Sequence, residues 1–340
     1  MLLVYTHKIT PRVRYIFNHI LKRNLLIQVD FTTEVAEFVA HSGPKLSYTK
    51  NPLGSEFFIK SHDLLYEQGV NDLEILIQDW DGIPCFFATN LKSSIPFDIF
   101  AASFYLISRY EEYLPHVKDQ HGRYTAEQSL AYKTGFLEKP VVDIWAYKFL
   151  DALKERFPDY SYTDRSYQFI STIDVDNAYA YKHKSIVRST GGFLMDLFKL
   201  RIFDFWNRFA VLVNLKKDPF DTFNELLQLK KEHSIETIFF FLVGDYTSFD
   251  TNVSYAKNKF RLLIKEVLDY ANVGLHPSYF SVQNDSIQKE KKRLQDITNI
   301  SITKSRQHYL RLNLPETYQK LIDLEIKEDY SMGYASTVGF

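Results

Sequence analysis

The sequence predicts an α/β protein of two domains, and three observations carry that reading. Its 340 residues exceed the roughly 100–200 of an ordinary domain. From Gln168 onward, short β-type runs alternate with helical stretches of ten or more residues, the pattern of βα units and a parallel sheet. Hydrophobic residues make up 45% and charged residues 24%, with 12 Gly and 11 Pro, a composition that buries a core and excludes disordered or collagen-like classes.

Residues 1 to about 155 mix apolar strands at 2–5, 25–29, 73–77 and 85–88 with helices at 97–113 and 144–157. The helical pattern stops at Pro158 and polar turn formers follow, which sets the expected domains at 1–160 and 161–340. In the second half, strands are expected at 169–173, 237–243, 273–275 and 300–303, with a weak one near Tyr330. Helices are expected at about 220–232, 257–270, 284–297 and 315–325. Pro219 and Pro315 suit first helical turns. Leu262, Leu263, Val267 and Leu268 give the second of these helices an apolar stripe for a sheet.

The 41 basic and 42 acidic residues leave a net charge of −1, so no global field holds a polyanion and nucleic acid is not an expected partner. A single cysteine, Cys85, forms neither an internal disulfide nor a multi-cysteine zinc site. Any metal must therefore be held by histidines and carboxylates. The N-terminus offers only Met1–Tyr5 before polar residues, short of a signal-peptide core or a membrane span, so a cytoplasmic location is expected. The 28 Phe and 23 Tyr suit core filling first and sugar stacking second.

In parallel α/β folds, ligand sites lie beyond the carboxyl ends of the strands. The expected strands end in Asp174 and Asp176, in Gly244-Asp245, in Gly274-Leu275-His276, and in Arg306 and His308, with Asp329 beside the last. Asp174 and Asp176 suit a shared divalent cation, or divided metal and base roles. The competing reading is a turn whose acids cap backbone amides. His276 reads equally as a zinc ligand or a satisfied polar residue, and His308 is similar. Arg306 suits a bidentate pair with Asp174, against an ordinary surface ion pair. His183 and His233 are assigned no role.

An insertion follows the first of these strands. It is basic at Lys182, Lys184 and Arg188, then apolar at Phe193, Leu194, Leu197, Phe198, Phe203, Phe205, Trp206 and Phe209. A lid, a saccharide-binding wall and a peripheral membrane contact through 190–212 are open readings. Packing against the first domain is the commoner fate of such a stripe.

The order of motifs over residues 165–340 resembles the polysaccharide deacetylase family (NodB homology, carbohydrate esterase family 4). Thr172-Ile173-Asp174-Val175-Asp176 is similar to that family's Thr-Phe-Asp-Asp, with one residue inserted between the acids. Glu236 to Gly244 resembles its Ala-Thr-Phe-Phe strand, Gly274-Leu275-His276-Pro277-Ser278 its Gly-x-His-Ser/Thr motif, and Ser305-Arg306-Gln307-His308-Tyr309 its Arg-x-Pro-Tyr segment, with Asp329 on the acid-bearing strand after that.

The resemblance implies an incomplete (β/α) barrel behind a smaller α/β domain of unknown role. It further implies a divalent metal, zinc first, and removal of acetyl groups from an N-acetylated saccharide. Asp174 would be the general base, Arg306 its positioner, and Asp176 and His276 metal ligands. The family's second metal histidine is Phe280 here, and His308 is our substitute for it. The family's final Leu-x-His motif does not occur before Gly339-Phe340, which implies a truncated barrel or an impaired enzyme. Two other readings stand: a noncatalytic carbohydrate-binding relative, and a nucleotide-sugar transferase using Asp174 and Asp176. The haloacid-phosphatase pattern wants a Thr where Ala178 stands.

Overall fold

The structure is a computed structural model describing residues 1–340, and its contacts divide the chain into two compact units. One comprises Met1–Asp119, Tyr124–Tyr167 and Ser336–Phe340; the other comprises Gln120–Arg123 and Gln168–Ala335. No helix is long and apolar enough to cross a membrane.

The first unit runs β1 (Leu2–Tyr5), α1 (Pro11–Phe17), β2 (Val29–Thr32), α2 (Val35–Ala40), β3 (Lys45–Thr49), β4 (Phe57–Lys60), β5 (Gln78–Trp80), β6 (Ile83–Cys85), α3 (Ile99–Ile107), α4 (Leu130–Lys133) and α5 (Val141–Arg156). Four parallel strands lie in the order β2-β1-β3-β4, and β5-β6 is a separate antiparallel hairpin. The core is aromatic: Phe17 stacks on Phe100 at 3.6 Å, and Trp145 is wholly buried while its Nε1 donates to the Pro84 carbonyl at 3.0 Å. Asp98 caps α3, accepting from the amides of Phe100 and Ala101 and from the Tyr48 hydroxyl.

Local turns move several expected elements. Residues 18–24 wind as a π-helical turn and Leu26 adopts a left-handed φ of 55°, so the strand expected at 25–29 begins only at Val29. Residues 73–77 form no strand; the hairpin starts at Gln78, where Asp79 accepts from the Gly82 amide. The helix expected at 97–113 stops at Ile107, because Arg109 is left-handed, and a 3₁₀ turn follows.

The second unit carries β7 (Ile170–Val175), α6 (Ile186–Phe198), α7 (Ile202–Leu212), α8 (Phe223–His233), β8 (Glu236–Phe241), α9 (Asn258–Leu268), β9 (Asn272–Leu275), α10 (Ile287–Thr298), β10 (Lys304–Ser305), α11 (Glu316–Asp323) and β11 (Glu328–Asp329). All five strands are parallel, and their spatial order is their chain order. The sheet is a curled half-barrel. Side chains alternate across a strand. Ile173 and Val175, Phe239 and Phe241, and Val273 and Leu275 accordingly pack with Phe260, Ile264, Leu294 and Leu321 of the covering helices. The intervening residues face the other side, and the register sets Asp174 beside Phe240 and Phe240 beside Gly274.

Two details differ from the sequence expectation. The strand expected at 300–303 forms at Lys304–Ser305, because the apolar Ile302 that suggested it is spent in the helix-side core. Pro219 does not open a helix; α8 starts at Phe223, and Asp218 instead accepts from the amides of Ala180, Tyr181, Lys182 and Phe220. That carboxylate ties the two ends of the α6–α7 insertion together.

Gly274 is fixed by space. A Cβ there would lie 2.5 Å from the Phe240 ring and 3.1 Å from the Lys304 carbonyl. Gly274→Val should cost about 2–3 kcal/mol by overpacking, read as a lowered urea midpoint with unchanged slope; an unchanged midpoint would refute this close approach.

Candidate metal centre

The same alternation that builds the core gathers the polar residues. Asp174 and Asp176 at the end of β7, His276 just past β9, and Arg306 and His308 just past β10 all have the parity of the residues facing away from the helices. The chain beyond each strand stays tied to its neighbour: the His276 amide donates to the Phe241 carbonyl at 3.0 Å, and the His308 amide to the Pro277 carbonyl at 3.1 Å.

Asp176, His276 and His308 meet, each offering one ligand atom, and these atoms lie within 4.8 Å of one another. His276 Nε2 is 3.0 Å and His308 Nε2 is 3.6 Å from Asp176 Oδ1. Two ligands of a tetrahedral zinc, each at about 2.0–2.1 Å, stand roughly 3.3 Å apart, so this spacing suits a small cation.

The donor chemistry makes the same point. His276 Nδ1 lies against the Arg306 carbonyl at 2.5 Å, and His308 Nδ1 against Asp250 Oδ1 at 2.9 Å. Both acceptors require the proton on Nδ1, which leaves each Nε2 lone pair aimed at the Asp176 carboxylate. This orientation by an outer acceptor is the usual arrangement around metal-bound imidazoles. With no proton on either Nε2 the three groups are acceptors converging on one point, an arrangement that fits a divalent cation taking the place of those protons. Both histidines are buried, whereas the Asp176 side chain is half exposed and opens the point to solvent.

The electrostatics agree. Burial raises the Asp176 carboxyl, but hydrogen bonds to His276 and His308 outweigh it and hold that carboxyl far below the usual carboxylate range. Burial lowers the His308 imidazole, but bonding to Asp176 and Asp250 reverses this and pushes it up to about 9. At neutral pH His308 therefore carries a second proton, donated to Asp176, which a bound cation would have to displace.

Arg306 and Asp174 meet without the expected fork. Arg306 Nε stands 3.4 Å from Asp174 Oδ2, while its Nη1 donates to the Thr172 hydroxyl at 2.9 Å. The guanidinium divides itself between strand and acid because the Thr172 hydroxyl lies on the same face of β7. Asp174 and Asp176 open with Phe220, Phe249, His308 and Tyr309 onto one cavity of about 370 Å³.

The other strand-end acids lie elsewhere. Asp245 is exposed and takes Arg293 Nη2 at 2.9 Å, outside the cavity. Asp329 accepts from the Ser305 hydroxyl at 2.7 Å and the Ser331 amide at 3.1 Å. Phe280, at the usual second histidine position, packs against Phe249 and Tyr279. Sequence reasoning missed Asp250, which is wholly buried and accepts from the Tyr279 amide and the Thr247 hydroxyl besides His308. It sits in an irregular loop after β8, and no spacing separates it from Asp245 in the sequence.

Residues 2–158 match the model of a family of unknown function, DUF7033. No curated protein matches the chain. Among solved structures, a protein assigned as a polysaccharide deacetylase from Mycobacterium smegmatis is similar at 14% identity and a TM-score of 0.32, over 51% of this chain and 54% of that one. A mutant of a CE4-family pseudoenzyme gives 13% and 0.29, over 49% and 45%. The polysaccharide deacetylase of Bacillus cereus gives 19% and 0.25, over 32% and 53%. The chain spans about half the length of the solved structures it matches. These likenesses are distant and partial.

Zinc titration followed by calorimetry tests the centre. The unaltered chain should bind one equivalent, and His276→Ala or His308→Ala should abolish that binding. Asp250→Asn, which keeps the shape but loses the carboxylate behind His308, should weaken it about 10–100-fold. Equal affinity in all four proteins would reject the site.

Proposed function

We propose that residues 161–340 form a polysaccharide-deacetylase-like incomplete barrel, and that the chain is a metal-dependent hydrolase removing acetyl groups from an N-acetylated saccharide. The single observation that carries this reading is the Asp176–His276–His308 cluster, whose Asp176 and His308 line the same cavity as the carboxylate of Asp174.

A divalent ion held by these three residues would polarise an amide carbonyl and acidify a water. The chain's own groups supply the rest. Asp174 lines the cavity, and in this reading it takes the proton of an attacking water, a general-base contribution typically worth about 10²–10⁴-fold. Arg306 lies beside it at 3.4 Å, and the Thr172 hydroxyl fixes the guanidinium from behind. That arrangement aims the carboxylate without clamping both of its oxygens. No serine or cysteine nucleophile is required; Cys85 is buried in the first unit. Phe220, Phe249 and Tyr309 give the cavity flat apolar faces, which suit the carbon-bound face of a pyranose ring. The resemblance over residues 165–340 to the deacetylase motifs supports the same reading.

Acetate release from N-acetylglucosamine oligomers by the zinc-supplemented chain tests it. Asp174→Asn should lower kcat by at least 100-fold while zinc stoichiometry stays at one. Unchanged turnover would remove Asp174 from the chemistry. Saccharide binding without acetate release in the unaltered chain would assign the protein to noncatalytic carbohydrate recognition instead.

A further inference from the structure

The α6–α7 insertion is unexplained by the metal centre. Its inner side is closed: Phe193 meets Phe205 edge-on at 5.1 Å, and Arg208 Nε pairs with the buried Asp196 at 2.8 Å. Its outer side is open. Phe198 is 85%, Leu200 82%, Phe203 87% and Trp206 61% exposed, and Leu194, Leu197, Ile202 and Phe209 extend the same apolar surface. Ile202, Phe203, Trp206 and Phe209 recur at helical spacing, so they form one face of α7.

Charge distinguishes this surface from an ordinary apolar patch. Residues 182–217 contain eight Lys or Arg (Lys182, Lys184, Arg188, Lys199, Arg201, Arg208, Lys216 and Lys217) and two acids, Asp196 and Asp204, a local net charge of +6 in a chain of net −1. At the tip, Lys199 and Arg201 are exposed and alternate with Phe198, Leu200 and Ile202. The two helices have 13 and 11 residues, too short to span a bilayer. Short helices with an apolar face, flanking basic residues and an exposed tryptophan lie in the plane of a membrane interface.

We propose that the α6–α7 hairpin docks the chain on an anionic lipid surface, with Phe198, Leu200, Phe203 and Trp206 entering the headgroup boundary and Lys199 and Arg201 meeting lipid phosphates. A second copy of the chain is a poorer occupant, since two such faces would bring like charges together. The proposal is independent of the metal chemistry. The hairpin is joined to β7 through residues 176–185, and Asp218 closes its root by accepting from the amides of Ala180, Tyr181 and Lys182.

The test is co-sedimentation of the full chain with phosphatidylcholine vesicles and with vesicles containing 30 mol% phosphatidylglycerol, at low and high salt, alongside tryptophan emission. We expect binding to the anionic vesicles, at least tenfold weaker binding to neutral ones or in high salt, and a blue shift that Trp206→Phe removes. Both Phe203→Glu and the double substitution Lys199→Glu/Arg201→Glu should reduce binding at least tenfold while circular dichroism and zinc stoichiometry stay unchanged. Absence of vesicle binding by the unaltered chain, binding insensitive to both variants, or dimerisation in solution that Phe203→Glu abolishes without any vesicle binding would each overturn the proposal.

Discussion

His308 holds its Nδ1 proton against the buried carboxylate of Asp250, and His276 holds its own against the Arg306 carbonyl. These two hydrogen bonds fix which nitrogen of each ring faces Asp176. Without them, the rings could turn and present either nitrogen to that carboxylate. With them, each Nε2 faces the Asp176 carboxylate, where it holds either a proton or a cation. The presence of a second acid, Asp174, on the same cavity then gives such a centre a base to work with. Asp250 is thus as consequential as the residue it orients, because it reaches the cavity only through His308.

What brings the cluster together is the parallel sheet. Sequential strand order delivers each strand end beside the next, and the period-two alternation sends one set of side chains to the helices and the other to the opposite face. A slip of one residue in any strand would send the acids and imidazoles to the helix side. The aromatic residues Phe239 and Phe241 oppose such a slip, since both are wholly buried against the helices, while Phe240 between them fills the space over Gly274.

The parts legible in the sequence are those governed by that periodicity. Alternating apolar runs locate β7, β8 and β9 to within a few residues, and the ends of these strands point to Asp174, Asp176 and His276. His308 is placed by the same logic applied to a weaker strand. Where local geometry overrides periodicity, the reading fails. The π-helical turn at 18–24 displaces β2, a left-handed Arg109 cuts α3 short, and Ile302 is taken by the core rather than the sheet. Asp245 and Asp250 are both acids in one loop, and only the fold shows that the nearer one turns out to Arg293 while the farther one turns in to His308. No spacing rule encodes that choice.

The insertion between β7 and α8 shows a different limit. Its apolar content is plain in the sequence, yet sequence alone favours burial for such a stripe, and the structure leaves its outer face exposed. The functional account, however, stands or falls on the cation. Zinc K-edge absorption spectroscopy of the zinc-loaded chain tests it most directly. The account predicts two imidazole nitrogens and at least one carboxylate oxygen at about 2.0–2.1 Å. A spectrum of oxygen-only coordination without imidazole scattering would contradict it.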